Sequence, residues 1–191
     1  MEEFLLHPHP DHPAEGIHSI HVTLAPNASG GLTLQYTVSY RPASIRLPAA
    51  GDPLPRERLW AHTCCELFVA AEGETAYREF NFSPCGQWMR FDFSDYRERQ
   101  VSGEGPAPTV TLVQEDDAFI LTATLPSGAL PVGPLSLALT VVIENRDGRL
   151  GYWALAHPPG KADFHHRAGF QARAELPAHK PAKASRRANS E

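Results

Sequence analysis

Four hydrogen-bonding side chains of complementary chemistry lie close together between residues 60 and 96. They are Glu66, Glu79, Asn81 and Arg90. Carboxylates accept hydrogen bonds, a guanidinium donates them and an amide does both, so this set matches the adjacent hydroxyls of a sugar. Aromatic rings can stack on the apolar face of a sugar ring. Trp60 and Trp88 are the tryptophans favoured for that contact, because Trp153 alternates with Leu155 and is predicted to belong to the core.

The two glutamates also permit a second chemistry. A glycosidase needs two carboxyl groups about 5–10 Å apart, one of them with a raised pKa. Adjacent strands would give Glu66 and Glu79 such a spacing, but they would equally form a clamp for a ligand. Nothing else in the sequence indicates a hydrolase, so binding without chemistry is the favoured interpretation.

The elements that must position these side chains are three consecutive predicted strands. Side chains of a strand point alternately to opposite faces. The predicted core faces are Cys65, Leu67 and Val69, then Phe80 and Phe82, then Met89, Phe91 and Phe93. The opposite faces would carry Glu66, Tyr77, Glu79, Asn81, Trp88, Arg90 and Asp92. We therefore predict one polar and aromatic sheet face that binds a ligand, with Trp60 and His62 at its rim.

A second group of candidates lies in the loop His157–His166. Imidazole and carboxylate groups are ligands for zinc and similar ions. The candidates are His157, Asp163, His165 and His166, together with His62. Their spacing matches no tight ligand template, so histidines that hydrogen-bond the backbone of a long loop are the favoured interpretation and a metal site is the alternative. Lys161 could instead contact an anionic substituent of a ligand.

The two ends of the chain differ in character from the middle. Residues 1–16 are rich in His and Pro and are predicted to be extended. His7, His9 and His12 could bind a metal ion, but the prolines between them do not fix a coordination geometry. Residues 177–191 carry four basic residues and one acidic residue and no large apolar residue. We predict a disordered basic tail there.

Composition excludes several classes of function. The chain has 191 residues and a formal charge of −5 without a large basic patch, which argues against binding of nucleic acid. The longest apolar stretch, near residues 135–143, is too short to span a membrane. Three cysteines make no disulfide framework, and no signal peptide is evident at the N-terminus, so we expect a cytoplasmic protein.

The rest of the chain predicts an all-β fold. Alternating segments of five to nine residues are separated by Pro- and Gly-rich loops, and no segment sustains a helical apolar period. Two hairpins are indicated, one by the Gly-rich turn before Leu32 and one by the Asp-Gly turn at residues 147–148. These features favour one antiparallel β-sandwich of the jelly-roll kind over residues 17–176.

Three motifs carry a resemblance to a known family. They are WAHTCCELFV, EFNFSPCGQW and WALAHPPGKADFHH. Through them the chain resembles the bacterial DOMON-like family, related to DOMON domains and to carbohydrate-binding module family 9, over roughly residues 5–175. The sequence departs from that family at Cys65, commonly apolar there, and at Cys85, commonly Ser.

The resemblance implies a β-sandwich that holds a sugar or a haem on a concave sheet face. Haem would require axial Met and His ligands, and Met89 has no identifiable partner histidine. We therefore predict no cofactor and a non-catalytic module that binds a sugar-like small molecule. The alternatives are a metal-dependent enzyme that uses the His157–His166 loop, and a module whose polar face binds another protein.

Overall fold

Alternating apolar side chains build the first long hairpin of the protein. Ile20, Val22 and Leu24 are buried on one strand, and every second residue from Leu32 to Tyr40 is buried on the next. Asn27 closes the turn between them, because its side-chain oxygen accepts hydrogen bonds from the backbone N–H groups of Ser29 and Gly31. The predicted hairpin is confirmed.

The computed structural model describes residues 1–52, 54–103 and 105–176. The strands among them are β1 Glu2–Leu5, β2 His7–Pro8, β3 Ile17–Pro26, β4 Leu32–Tyr40, β5 Ile45–Arg46, β6 Cys64–Ala71, β7 Tyr77–Phe82, β8 Trp88–Asp95, β9 Glu98–Gln100, β10 Thr109–Gln114, β11 Ala118–Leu125, β12 Gly133–Asn145, β13 Leu150–Ala154 and β14 Ala172–Leu176. Short 3-10 helices occupy Arg56–Ala61, Ser127–Ala129 and Arg167–Gly169. The predicted tail at residues 177–191 lies outside this described part of the chain.

The strands form two antiparallel sheets, so the predicted sandwich is confirmed. The five-stranded sheet has the order β1-β3-β4-β11-β10. The nine-stranded sheet has the order β2-β13-β12-β6-β7-β8-β9, and β5 and β14 also pair with β12. The hairpin of β12 and β13 turns at Asp147 and Gly148, as predicted. In the described ranges, no helix is long and apolar enough to cross a membrane.

The main core lies between the two sheets. From the smaller sheet it receives residues such as Tyr36 and Phe119, and from the larger sheet Leu67, Phe80 and Leu139, all of them inaccessible to solvent. Trp153 also belongs to this core, with 7% of its surface exposed. It is therefore not one of the tryptophans that a ligand can contact.

The outer face of the larger sheet carries a second apolar cluster. Its members are Phe68, Ala70, Tyr77, Phe91, Phe93, Ala138 and Phe170, with Met89 and Phe164 packed against them. Phe164 and Phe170 come from residues 155–171, which we call the covering segment. Because the central strands bury side chains on both faces, every residue of β6 except Ala71 is buried.

The prediction for β8 is wrong, because the two faces of this strand are exchanged in the structure. Phe82 lies opposite Trp88, and Glu79 lies opposite Phe91. Directly opposed residues share a face of the sheet, so Trp88, Arg90 and Asp92 follow Phe80 and Phe82 toward the inner side. Met89, Phe91 and Phe93 lie on the outer face with the glutamates. The turn at residues 83–87 sets this register, through a hydrogen bond from Ser83 N to Gln87 O of 2.9 Å.

The N-terminal segment is extended and pairs with both sheets. β1 joins the smaller sheet beside β3, and β2 joins the larger sheet beside β13. Leu6, between them, is 1% exposed. The segment also reaches the covering segment, since His9 Nε2 lies 3.0 Å from Gly160 O.

Candidate functional site

A cavity of about 480 Å³ opens on the outer face of the larger sheet. Strands β6, β7, β8, β12 and β13 supply its floor, and β9, the first 3-10 helix and the covering segment supply its walls. It is lined by Glu57, Trp60, Glu66, Phe68, Glu79, Phe91, Phe93, Arg97, Arg99, Val142, Tyr152, Ala162, Phe164 and His165. This volume suits a small ligand.

Glu66 lies at the floor of the cavity, in the middle of the sheet. It is 3% exposed, and its Oε2 accepts a hydrogen bond of 3.2 Å from Thr140 Oγ1 on the neighbouring strand. Burial, followed by the nearby charge of Glu79, raises the pKa of this carboxyl well above its usual value. A buried acid of this kind holds its proton more tightly than one in water.

Glu79 is the second buried acid of the floor. It is 5% exposed, and Asn81 Nδ2 donates a hydrogen bond of 2.6 Å to its Oε1. Burial raises the pKa of Glu79, while the bond from Asn81 and the charges of Arg99 and Arg97 oppose that rise. Glu66 lies opposite Asn81 in the ladder, so the two glutamates are diagonal neighbours on adjacent strands.

His165 packs beside Glu79 within a group of aromatic rings. Its ring centroid lies 5.1 Å from those of Phe68 and Phe93, and Tyr77 stacks on Phe93 at 4.7 Å. Burial, with the charge of Arg97, lowers the pKa of His165 to about 4. The imidazole is therefore neutral near pH 7 and offers Glu79 no counter-charge.

Hydrogen bonds fix the orientation of this histidine. His165 Nδ1 lies 2.9 Å from Tyr77 Oη, which also accepts a bond of 3.1 Å from the backbone N–H of Arg97. When the Tyr77 hydroxyl donates to Nδ1, the single proton of the neutral imidazole resides on Nε2. That nitrogen lies 3.7 Å from Glu79 Oε2 and faces the acid.

The basic side chains of the cavity lie at its other side. Arg97 Nη2 is 2.9 Å from Asp163 Oδ1, and the Tyr96 hydroxyl donates to the other oxygen of Asp163 at 2.6 Å. The guanidinium of Arg99 lies over the ring of Phe91, 4.0 Å from its centroid. Charge is therefore separated across the cavity, with acids at β6 and β7 and arginines at and beside β9.

Trp60 is the exposed aromatic ring at the mouth of the cavity. It is 44% exposed although it is a large apolar side chain, and its Nε1 donates to Glu57 O at 3.2 Å. That bond holds the indole on the 3-10 helix Arg56–Ala61. Tyr152 of β13 meets Phe164 of the covering segment edge to face at 5.7 Å.

The structure brings three of the seven principal predicted residues to the cavity, namely Trp60, Glu66 and Glu79. Asn81 supports Glu79 from beneath without lining the cavity. His62 is withdrawn from it by a bond of 2.8 Å to Glu144. Trp88 and Arg90 do not share the face of the glutamates: Trp88 packs against the main core, and Arg90 bonds Asp92 and Gly103 O.

The candidates of the His157–His166 loop point to different partners. His157 contacts His7 O at 2.9 Å, Asp163 binds Arg97, and His166 accepts a bond from Ala168 N. Lys161 lines a separate cavity beside Tyr152. Tyr77 supports His165. Among the described residues, no three His, Cys, Asp or Glu side chains form a group that could hold a metal ion.

Several cavity residues escaped the sequence prediction. Phe91 and Phe93 were assigned to the core, and Arg97, Arg99, Tyr152 and Phe164 were not singled out. The register of β7 with β8 would have identified the phenylalanines, because it places Phe91 opposite Glu79. No sequence signal places Phe164, since the course of the covering segment depends on its packing.

The low pKa of His165 predicts acid sensitivity. The imidazole of His165 takes up a proton near pH 6.5 in the unfolded chain but only near pH 4 in the folded protein. The neutral imidazole therefore contributes its full stability above pH 6.5, and this contribution to the free energy of unfolding is lost as the pH falls toward 4. Between pH 7.5 and pH 5, the free energy of unfolding of the wild type should fall by about 2 kcal/mol more than that of His165→Gln. Urea unfolding at both pH values measures this. His18→Gln, at an exposed position, is the control and should behave as wild type; equal losses in all three proteins would refute the prediction.

The fold and cavity define an antiparallel β-sandwich with a ligand-sized pocket on the outer face of its larger sheet. In fold the chain is similar to "a putative carbohydrate-binding protein" from Bacteroides uniformis, with a TM-score of 0.65 over 90% of this chain and 84% of that one. The sequences are 19% identical, so this likeness establishes the fold. No protein-family profile and no curated protein matches the chain. The DOMON-like resemblance therefore stays a prediction.

Proposed function

We propose that the cavity on the larger sheet binds a saccharide or sugar derivative without transforming it. One observation carries this proposal. Two buried carboxyl groups, Glu66 and Glu79, lie at the floor of a cavity whose walls are aromatic and whose mouth holds the exposed ring of Trp60.

This combination suits the two kinds of surface that a sugar presents. The equatorial hydroxyls are donors and acceptors that carboxyl oxygens recognise. The C–H faces of the ring are apolar and pack against aromatic side chains, which Trp60, Phe91 and Tyr152 provide here. The volume of about 480 Å³ accommodates one or two sugar rings.

Two further facts support a sugar over other small ligands. The similar structure from Bacteroides uniformis bears a name that refers to carbohydrate binding. The DOMON-like resemblance implies a sugar- or haem-binding sandwich, and the carboxyl group of Glu79 and the ring of Phe91 at this cavity match the polar and apolar surfaces of a sugar. Metal-dependent catalysis gains no such support, because the side chains of the His157–His166 loop diverge.

The ring at the mouth of the cavity should decide affinity. A panel of mono- and oligosaccharides and nucleotide sugars, screened by thermal shift, should contain a compound that raises the melting temperature. For that compound, Trp60→Ala is expected to weaken binding about tenfold in calorimetric titration, because stacking on an aromatic ring is lost.

Trp88→Ala is the matched control for this test. Trp88 is also a tryptophan, but it lies on β8 and packs against the main core on the inner side of the larger sheet. Its removal should lower stability and leave affinity unchanged. A panel without any stabilising sugar, or equal losses of affinity in the two variants, would overturn the proposed function.

A further inference from the structure

At the acidic end of the cavity, the two acids of its floor have no directly bonded counter-charge in the part of the chain that the structure describes. Among the described residues, neither Glu66 nor Glu79 forms an ion pair with an arginine or a lysine, and the partner of Glu79 is the neutral His165 at 3.7 Å. Both carboxyl groups are more than nine-tenths buried. Burial of a charge without a compensating partner is costly, so two such groups at one floor require an explanation.

The arginines of the same cavity are engaged elsewhere. Arg97 pairs with Asp163, and Arg99 lies over Phe91. β9 is the third strand from β6 in the order β6-β7-β8-β9, and neighbouring strands are about 4.8 Å apart. The backbone of β9 is thus roughly 14 Å from the strand that carries Glu66 and about 10 Å from the strand that carries Glu79. Neither guanidinium forms an ion pair with Glu66 or Glu79, although the charges of both oppose the raised pKa of Glu79.

One oxygen of each acid remains for a ligand. Thr140 occupies Glu66 Oε2, and Asn81 occupies Glu79 Oε1. Glu66 Oε1 accepts no hydrogen bond from any residue that the structure describes, and Glu79 Oε2 has only the distant imidazole of His165. Both side chains line the cavity. Glu66 Oε1 and Glu79 Oε2 are therefore the acceptors that a ligand would contact at the floor of the cavity.

We propose that this acidic end binds a protonated amino group, so that the ligand is an amino sugar and not a neutral one. The inference rests on the proposed function. An ammonium group has three donors and one positive charge, so a single group can bond both free oxygens and compensate the buried acids. A sugar hydroxyl can bond only one of them as donor and leaves their charge uncompensated.

Three sugars that differ at one substituent test the inference. D-Glucosamine, N-acetyl-D-glucosamine and D-glucose have the same ring, and only the first carries a cation at about pH 6.5, below the usual pKa of an amine. Calorimetric titration of the full chain should show glucosamine binding at least tenfold more tightly than the other two. The double variant Glu66→Gln, Glu79→Gln should lose this preference. Glu98→Gln, an exposed change on β9 outside the cavity, should keep it.

The outcomes separate this inference from the proposed function. Equal binding of the three sugars, or a preference that survives in the double variant, overturns the amine assignment and leaves sugar binding intact. Binding of none of the three also overturns the amine assignment, and failure of the whole glycan panel overturns the proposed function as well. The comparison among ligands on the wild-type protein holds whether or not the variants fold.

Discussion

Glu66→Gln is expected to raise the free energy of unfolding at pH 8 by on the order of 3 kcal/mol, the cost of an uncompensated buried charge. Glutamine keeps the shape of the side chain and can still bond Thr140, but it carries no charge to bury. Because the pKa of Glu66 is raised in the folded state, this acid stabilises the wild type fully only below the usual glutamate pKa of about 4.3. That stability is lost as the pH rises through the raised pKa.

The measurement is urea unfolding of both proteins from pH 4 to pH 8. The two curves should coincide near pH 4, where Glu66 is protonated in either state, and should separate as the pH rises. Glu98→Gln, exposed on β9, is the control and should follow the wild type at every pH. A variant less stable than wild type at pH 8 would show that the carboxylate of Glu66 is stabilising, contrary to this prediction.

Tyr36→Ala should destabilise the protein by about 4 kcal/mol, in the range for removal of a buried aromatic ring. Tyr36 is 0% exposed on β4, in the smaller sheet, and its hydroxyl donates a hydrogen bond of 2.8 Å to Glu66 O in the larger sheet. The residue therefore joins the two layers directly beneath the cavity. Its loss removes both core packing and a support for the backbone that carries Glu66.

Tyr36→Phe separates these two contributions. It keeps the ring and removes only the hydroxyl, so we expect a loss of about 1 kcal/mol. Chemical denaturation of wild type and the two variants gives both values, with Val113→Ala as a control at a 58% exposed position. If the phenylalanine variant were as unstable as the alanine variant, the ring would contribute little and our description of the core would be wrong.

Local alternation was sufficient to predict the sandwich. Residues 32–40 alternate without interruption, and the turns before Leu32 and at Gly148 contain the residues that hairpins require. In the first two strands of the site, the faces of Glu66 and Glu79 were also predicted correctly. These features depend on neighbouring residues alone, which is why the sequence specifies them.

The face of β8 could not be obtained in the same way. The prediction placed Phe91 and Phe93 in the core because they are apolar, but the outer face of this sheet is apolar as well. The deciding quantity is the register across the turn at residues 83–87, and a shift of one residue exchanges the two faces of a strand. The prediction that Arg90 and Trp88 share the face of the glutamates is consequently wrong.

The role of His165 depends on contacts that are distant in sequence. Its hydroxyl partner, Tyr77, precedes it by 88 residues. In the sequence it belongs to a His–His pair that permits either a metal ligand or a structural role, and its burial among Phe68 and Phe93 shows that it is a packed imidazole. Long loops of this kind have no periodic pattern from which their course can be inferred.

The central position of β12 affects how the chain is made. Ala71 ends β6, and Gly133, which begins the strand that pairs with it, is synthesised roughly sixty residues later, several seconds at usual ribosomal rates. Until then, one edge of β6 exposes unpaired backbone groups and an apolar surface. During translation, the future floor of the cavity therefore remains without its central partner strand until β12 is made, and a chaperone that binds apolar strand edges would protect it.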